Sequence, residues 1–110
     1  MKTRFFVPSI LTLIIALFAP AGETIKQITF KVSGNCEMCE TRIEKAVKIS
    51  EVKFASWDKK TKMLTVAYTT NAISADSLQK RIASVGHDTE KYKAPDAVYT
   101  KLPACCLYRK

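Results

Sequence analysis

Histidine and tryptophan each occur once in this 110-residue chain. Paired carboxylates, a phosphate loop and a Ser-His-Asp set are absent as recognisable constellations. No enzyme is therefore expected. There is no internal repeat and no low-complexity segment. Aromatic residues do not interleave with Lys and Arg in a stacking pattern, which leaves no nucleic-acid partner to expect. A long apolar run is missing too: the one candidate, Phe5 to Ala19, falls short of the about 20 residues that span a membrane and is weakened by Pro8, Ser9 and Thr12.

Lys2 and Arg4 precede that run, and Ala19-Pro20-Ala21 follows it with small residues at alternate positions. This is the pattern of a secretory signal peptide, residues 1–21, cleaved after Ala21. An uncleaved N-terminal anchor is the alternative, since the two differ mainly in apolar length. No cysteine lies near the boundary, so a lipid-modified N-terminal cysteine is not indicated. The functional part is expected to be periplasmic or otherwise exported.

What remains is 89 residues, enough for one small domain and too few for two. Of 18 basic and 10 acidic residues in all, only Lys2 and Arg4 belong to the signal, so the remainder carries a net charge of +6. Its charges are scattered and read mostly as solvated faces. Arg42, Lys45 and Lys48 form a candidate recognition surface, with ordinary solvation the favoured reading.

After Ala21 the apolar pattern changes period in a regular order. Ile28, Phe30 and Val32 alternate with Thr29 and Lys31, a strand buried on one face. Ile43, Ala46 and Val47, ringed by charge, have helical spacing, and that helix should stop near Ser50. Val52 to Trp57 and Met63 to Tyr68 form a hairpin around Asp58-Lys59-Lys60-Thr61. Ser74 caps a second helix with Leu78, Ile82 and Val85 on its apolar face, and Gly86 ends it. A last strand is expected from about His87 to Ala94. The economical way to bury these stripes is an α+β, ferredoxin-like βαββαβ sandwich: a four-stranded antiparallel sheet with two helices on one face. Pro95 ends the domain of residues 22–94, and the tail of residues 95–110 should pack partly against it through Val98, Tyr99 and Leu102.

The chemistry is concentrated in Gly34-Asn35-Cys36-Glu37-Met38-Cys39-Glu40, where the first strand gives way to the first helix. Unpaired N–H groups and the helix dipole there favour thiolate and should lower the pKa of Cys36. Two such thiols can hold a soft metal ion, exchange electrons as dithiol and disulfide, or staple the loop. Thiolates prefer Cu(I) and similarly soft ions, and two cysteines cannot close the four-ligand shell of structural zinc. A two-coordinate ion keeps an open face where a partner's thiolate can add and take it away.

With the strand Phe30-Lys31-Val32 leading into Gly34, Cys36 and Cys39 opening the first helix, and Gly86-His87-Asp88 after the second, residues 28–94 resemble the heavy-metal-associated domains. That family comprises periplasmic mercury-binding proteins, copper chaperones and the N-terminal domains of metal pumps. The resemblance implies that Cys36 and Cys39 carry one soft ion; Cu(I) is the first choice and Hg(II) the next, and Zn(II) enters only if further cysteines join them. It also implies a monomer that passes the ion by transient docking to a metal-transporting membrane protein or another metal acceptor. Two departures stand out. The Gly-Met-Thr usual before the first cysteine is one residue shorter here and lacks its methionine, so Met38 either turns inward to replace it or stays exposed. Ser50-Glu51 stands where a Gly is customary.

Three further residues are candidate ligands. His87 belongs to a loop that lies beside the metal loop in this fold, where a third ligand and a packing role are both open, packing being favoured. Cys105 and Cys106 have several readings: a second soft site, disulfides with each other or with Cys36 or Cys39, or small buried residues. A vicinal disulfide is strained and ranks low. A tail folded back would bring all four cysteines into one site and admit zinc or a multi-copper cluster. Among other classes, a thiol-disulfide oxidoreductase of thioredoxin type would place a Trp before its cysteine pair and a cis-proline opposite. Trp57, Pro95 and Pro103 do not fit. A non-catalytic interaction domain with a structural disulfide is the remaining alternative.

Overall fold

The structure, a computed structural model, describes residues 24–110, and the expected signal segment lies outside the described residues. Its elements in chain order are strand β1 (Ile25–Lys31), helix α1 (Glu37–Ala46), strands β2 (Val52–Trp57) and β3 (Met63–Thr69), helix α2 (Ala75–Ser84), and one helical turn α3 (Asp96–Tyr99). A short 3-10 turn, Ala104–Cys106, closes the chain. No helix among the described residues is long and apolar enough to cross a membrane.

The period-two stripes pair as their patterns demand. Strand β3 lies in the middle, antiparallel to both neighbours, in the order β1-β3-β2. Phe30 and Trp57 both stand opposite Leu64, and Ile28 stands opposite Val66, so one face of the sheet carries the apolar set. Ile43 and Val47 from the first helical stripe and Leu78 and Ile82 from the second join that face in one core. The Ser74 side chain accepts a hydrogen bond from Ser77 N at 3.0 Å and caps α2. Gly86 sits just past its end at φ 111°, a conformation that favours glycine.

The expected fourth strand is not formed among the described residues. In its place beside β1 there is one antiparallel bridge, Val32 with Thr89. Local side-chain hydrogen bonds claim the backbone of this segment. Thr89 N donates to Tyr92 O at 2.8 Å while Tyr92 N donates to Thr89 Oγ1 at 3.0 Å, closing a turn inside the stretch that would have to be extended. Lys31 N, at the end of β1, donates to the Glu90 carboxylate instead of a strand carbonyl. Short polar side chains compete with ladders in this way.

The tail of residues 95–110 packs onto the domain. Tyr99, Leu102 and Cys106 belong to the same core as the sheet and helices. A Cβ on Gly86 would meet the Leu102 side chain at 2.8 Å, so the glycine serves two ends at once: the turn after α2 and the seat of the tail.

Candidate metal centre

Cys36 occupies the position before the first turn of α1, with extended backbone (φ −136°, ψ 176°). Its carbonyl accepts from Cys39 N and Glu40 N at 3.0 and 3.1 Å, and its side chain makes no cap. The sulfur is thereby free to face Cys39, one turn on and fully buried, at 3.3 Å. Asn35 N donates to the Cys39 sulfur at 3.3 Å, an N–H from the loop directed at a thiolate position. Gly34 permits this tight approach, because a Cβ there would meet both the Cys39 Cβ and the Trp57 ring at 3.0 Å. Trp57 is in turn fixed beneath the loop by its indole N–H, which donates to Val32 O at 3.0 Å. Met38 does not fill the core but is 53% exposed, the outward of the two expected orientations.

The tail brings the other two cysteines to the same place. The Cys36 sulfur lies 2.8 Å from that of Cys105 and 3.4 Å from that of Cys106. Cys105 and Cys106 sulfurs are 3.8 Å apart, and Cys105 also approaches the Met38 thioether at 3.6 Å. All four thiols are free. The ligand atoms of Cys36, Cys39 and Cys106 all lie within 4.8 Å of one another. Cys39 and Cys106 are buried, Cys36 is half-buried, and Cys105 is exposed at the rim.

Two side chains that the sequence reading left out hold the tail there. Tyr108 Oη donates to Gly86 O at 2.7 Å and accepts from Asp88 N at 2.8 Å. The Arg109 guanidinium makes a forked contact with Asp88, Nη2 to Oδ1 at 2.7 Å and Nε to Oδ2 at 3.2 Å, and adds Ala94 O and Asp96. It also lies over the Tyr99 ring at 4.2 Å. Their signal in the sequence was slight: an aromatic and an arginine after the cysteine pair, with the acidic partner 21 residues earlier.

His87 is fully buried and stands apart from the sulfur group. Its Nδ1 is 2.8 Å from Ser33 O, a contact in which the ring donates, and its face stacks on Tyr108. Its Nε2 is buried without a partner. Burial, opposed by the Ser33 contact, holds its pKa below the usual imidazole value. The ring thus fixes the loop after Val32 to the loop after α2, the packing role favoured from sequence.

The thiols are electrostatically unequal. Burial works against ionisation of Cys36, but hydrogen bonds from Cys105 and Cys39, and then Cys106, outweigh it and bring the pKa down to about 6. Cys105 moves up first through its hydrogen bond with Cys36, and Cys106 moves up through burial and its contacts with Cys39 and Cys36. The arrangement favours the thiolate on Cys36 over its neighbours. Such a group can bind a thiophilic cation by replacing S–H protons with S–metal bonds.

No family model matches the sequence, and no curated protein matches it. Solved structures do match. A CopZ metallochaperone is 23% identical with a TM-score of 0.56, covering 58% of this chain and 98% of that one. Oxidized MerP from Ralstonia metallidurans CH34 is 23% identical with a TM-score of 0.57, covering 61% of this chain and 96% of that one. The N-terminal domain of a potential copper-translocating P-type ATPase from Bacillus subtilis, in its Cu(I)-loaded state, is 26% identical with a TM-score of 0.56. It covers 60% of this chain and 85% of that one.

Proposed function

We propose that this chain, which has the fold of the heavy-metal-associated domains, captures one soft metal ion through Cys36 and Cys39 and buffers it or delivers it to a metal acceptor outside the cytoplasm. The observation that carries the reading is the pair of sulfurs 3.3 Å apart at the opening of α1, one of them at the solvent-facing edge. Soft thiolates, a low Cys36 pKa and an open approach beside Cys36 favour Cu(I), with Hg(II) second. The likeness to the Cu(I)-loaded ATPase domain supports the same choice.

The reading makes the protein a carrier and not a catalyst. An incoming acceptor thiolate adds to the ion at the exposed Cys36 side, Cys36 leaves, and buried Cys39 leaves last. Acceptors with cysteine pairs of their own, a metal-transporting membrane protein first, suit this exchange. Export rests on the N-terminal signal pattern alone and is tested by finding the mature N-terminus at Gly22.

Anaerobic titration of the reduced mature protein with Cu(I), followed by mass spectrometry, is the direct test. One tightly held ion in the wild type, lost in Cys36→Ser with Cys39→Ser, is the expected result. A wild type that holds no copper tightly would discard the proposal in favour of a structural role for the thiols.

A further inference from the structure

We propose that Cys106 is a third ligand supplied in cis, so that the tail closes a three-sulfur site around the ion held by Cys36 and Cys39. The inference rests on the carrier reading above and deepens it: this chain, unlike a bare two-cysteine loop, brings its own additional thiolate.

Three observations lead to it. The Cys106 sulfur is 3.4 Å from that of Cys36, and the three sulfurs of Cys36, Cys39 and Cys106 converge within one ligand-sized volume. With metal–sulfur bonds of about 2.3 Å, a linear pair would hold its sulfurs about 4.6 Å apart and a trigonal set about 4.0 Å apart. The Cys36–Cys39 separation of 3.3 Å is closer to the trigonal value than to the linear one and so argues for more than two sulfurs, while the exposure of Cys105 at the rim sets the count at three. Finally, the tail is fixed on both sides of the cysteines. Leu102 before them is seated on Gly86, and Tyr108 and Arg109 after them are tied to Gly86, Asp88 and Ala94. Cys106 is itself fully buried and part of the core, so its position is set by packing and costs little ordering when the ion arrives.

Cys105 has a different place. It is exposed, 2.8 Å from the Cys36 sulfur, and lies at the rim where an acceptor would approach. It is left outside the three-sulfur set as the thiol nearest the exit. Binding involves no change of oxidation state: each thiol that enters the site exchanges its S–H bond for a bond to Cu(I), and its proton goes to solvent.

X-ray absorption at the copper edge of the Cu(I)-loaded, reduced mature protein tests this, because it counts sulfur neighbours. The expected count is three in the wild type and two in Cys106→Ser, with one copper per chain in both. Cys106→Ala, which keeps an apolar side chain in the core, should give the same two-sulfur count, and circular dichroism checks that each variant is folded. Two sulfurs in the wild type would overturn the closed site while leaving the Cys36–Cys39 carrier standing. A count that drops in Cys105→Ser but not in Cys106→Ser would overturn the assignment of Cys106, and so would more than one copper per chain. No bound copper in the wild type would remove the carrier reading and this inference together.

Discussion

Cys36 joins the two halves of the site because it sits before the first turn of α1, where its sulfur meets those of Cys39, Cys105 and Cys106. A helix N-terminus alone would favour the thiolate, but the larger support comes from hydrogen bonds with neighbouring thiols across the loop and in the tail. The rate of Cys36 alkylation in the reduced metal-free protein should therefore rise with a midpoint near pH 6. In Cys105→Ala, which removes the leading hydrogen-bonding thiol without putting a hydroxyl in its place, that midpoint should move upward. An unchanged midpoint would assign the low pKa to the helix and not to the tail. That Cys36 and Cys39 lie together at the head of α1 was legible in the sequence, since a cysteine pair three residues apart at a change of hydrophobic period opens one helical turn. The leading source of the low pKa was not, because Cys105, unlike Cys39, lies 69 residues away.

Helix α2 and the turn after it show how one element serves both fold and site. Ser74 at its start and Gly86 past its end were readable from residue type, since each answers to a local backbone need. Ser74→Ala should cost about 1 kcal/mol in urea unfolding. Gly86→Ala should cost more, roughly 2 kcal/mol or above, because the new side chain adds strain at positive φ to a collision with Leu102. If the Gly86 variant lost no more than the Ser74 one, the seat of the tail on Gly86 would be wrong. The missing fourth strand marks the limit of such local reading. Residues from His87 to Ala94 hold only Thr89 and Tyr92 as strand formers, and there Thr89 turns back on Tyr92 while Glu90 takes the last amide of β1. The choice between a ladder and these side-chain bonds depends on which partners arrive from elsewhere in the chain.

For the molecule as a whole, the tail is held by charge as well as by packing. Asp88 is pulled below the usual carboxylate range: burial opposes this, and the hydrogen bonds from Arg109 and Ala94 N prevail. A carboxylate depressed in the folded state contributes stability that is complete above its unfolded pKa of about 3.9 and is lost as pH falls through the lower folded value. Unfolding stability should thus decline below about pH 4, and Arg109→Ala should flatten part of that decline. At neutral pH the same variant should cost about 1.5–3 kcal/mol, as expected for hydrogen bonds to a charged group. Parallel declines in wild type and variant would show that Arg109 does not hold Asp88 in solution.

The order of the first five elements, the apolar faces of strands and helices, and the thiol pair at the head of α1 were determined by the sequence itself, because each follows from period, propensity or capping within a short window. The fate of residues 87–110 was decided only by tertiary structure. Whether His87 would bind or pack, whether Cys105 and Cys106 would float or join Cys36, and whether a fourth strand would form all depend on contacts between distant segments: Tyr108 and Arg109 with Gly86 and Asp88, Leu102 on Gly86, His87 on Ser33. Such contacts form only once burial of the shared core has brought those segments together, and no local pattern encodes them.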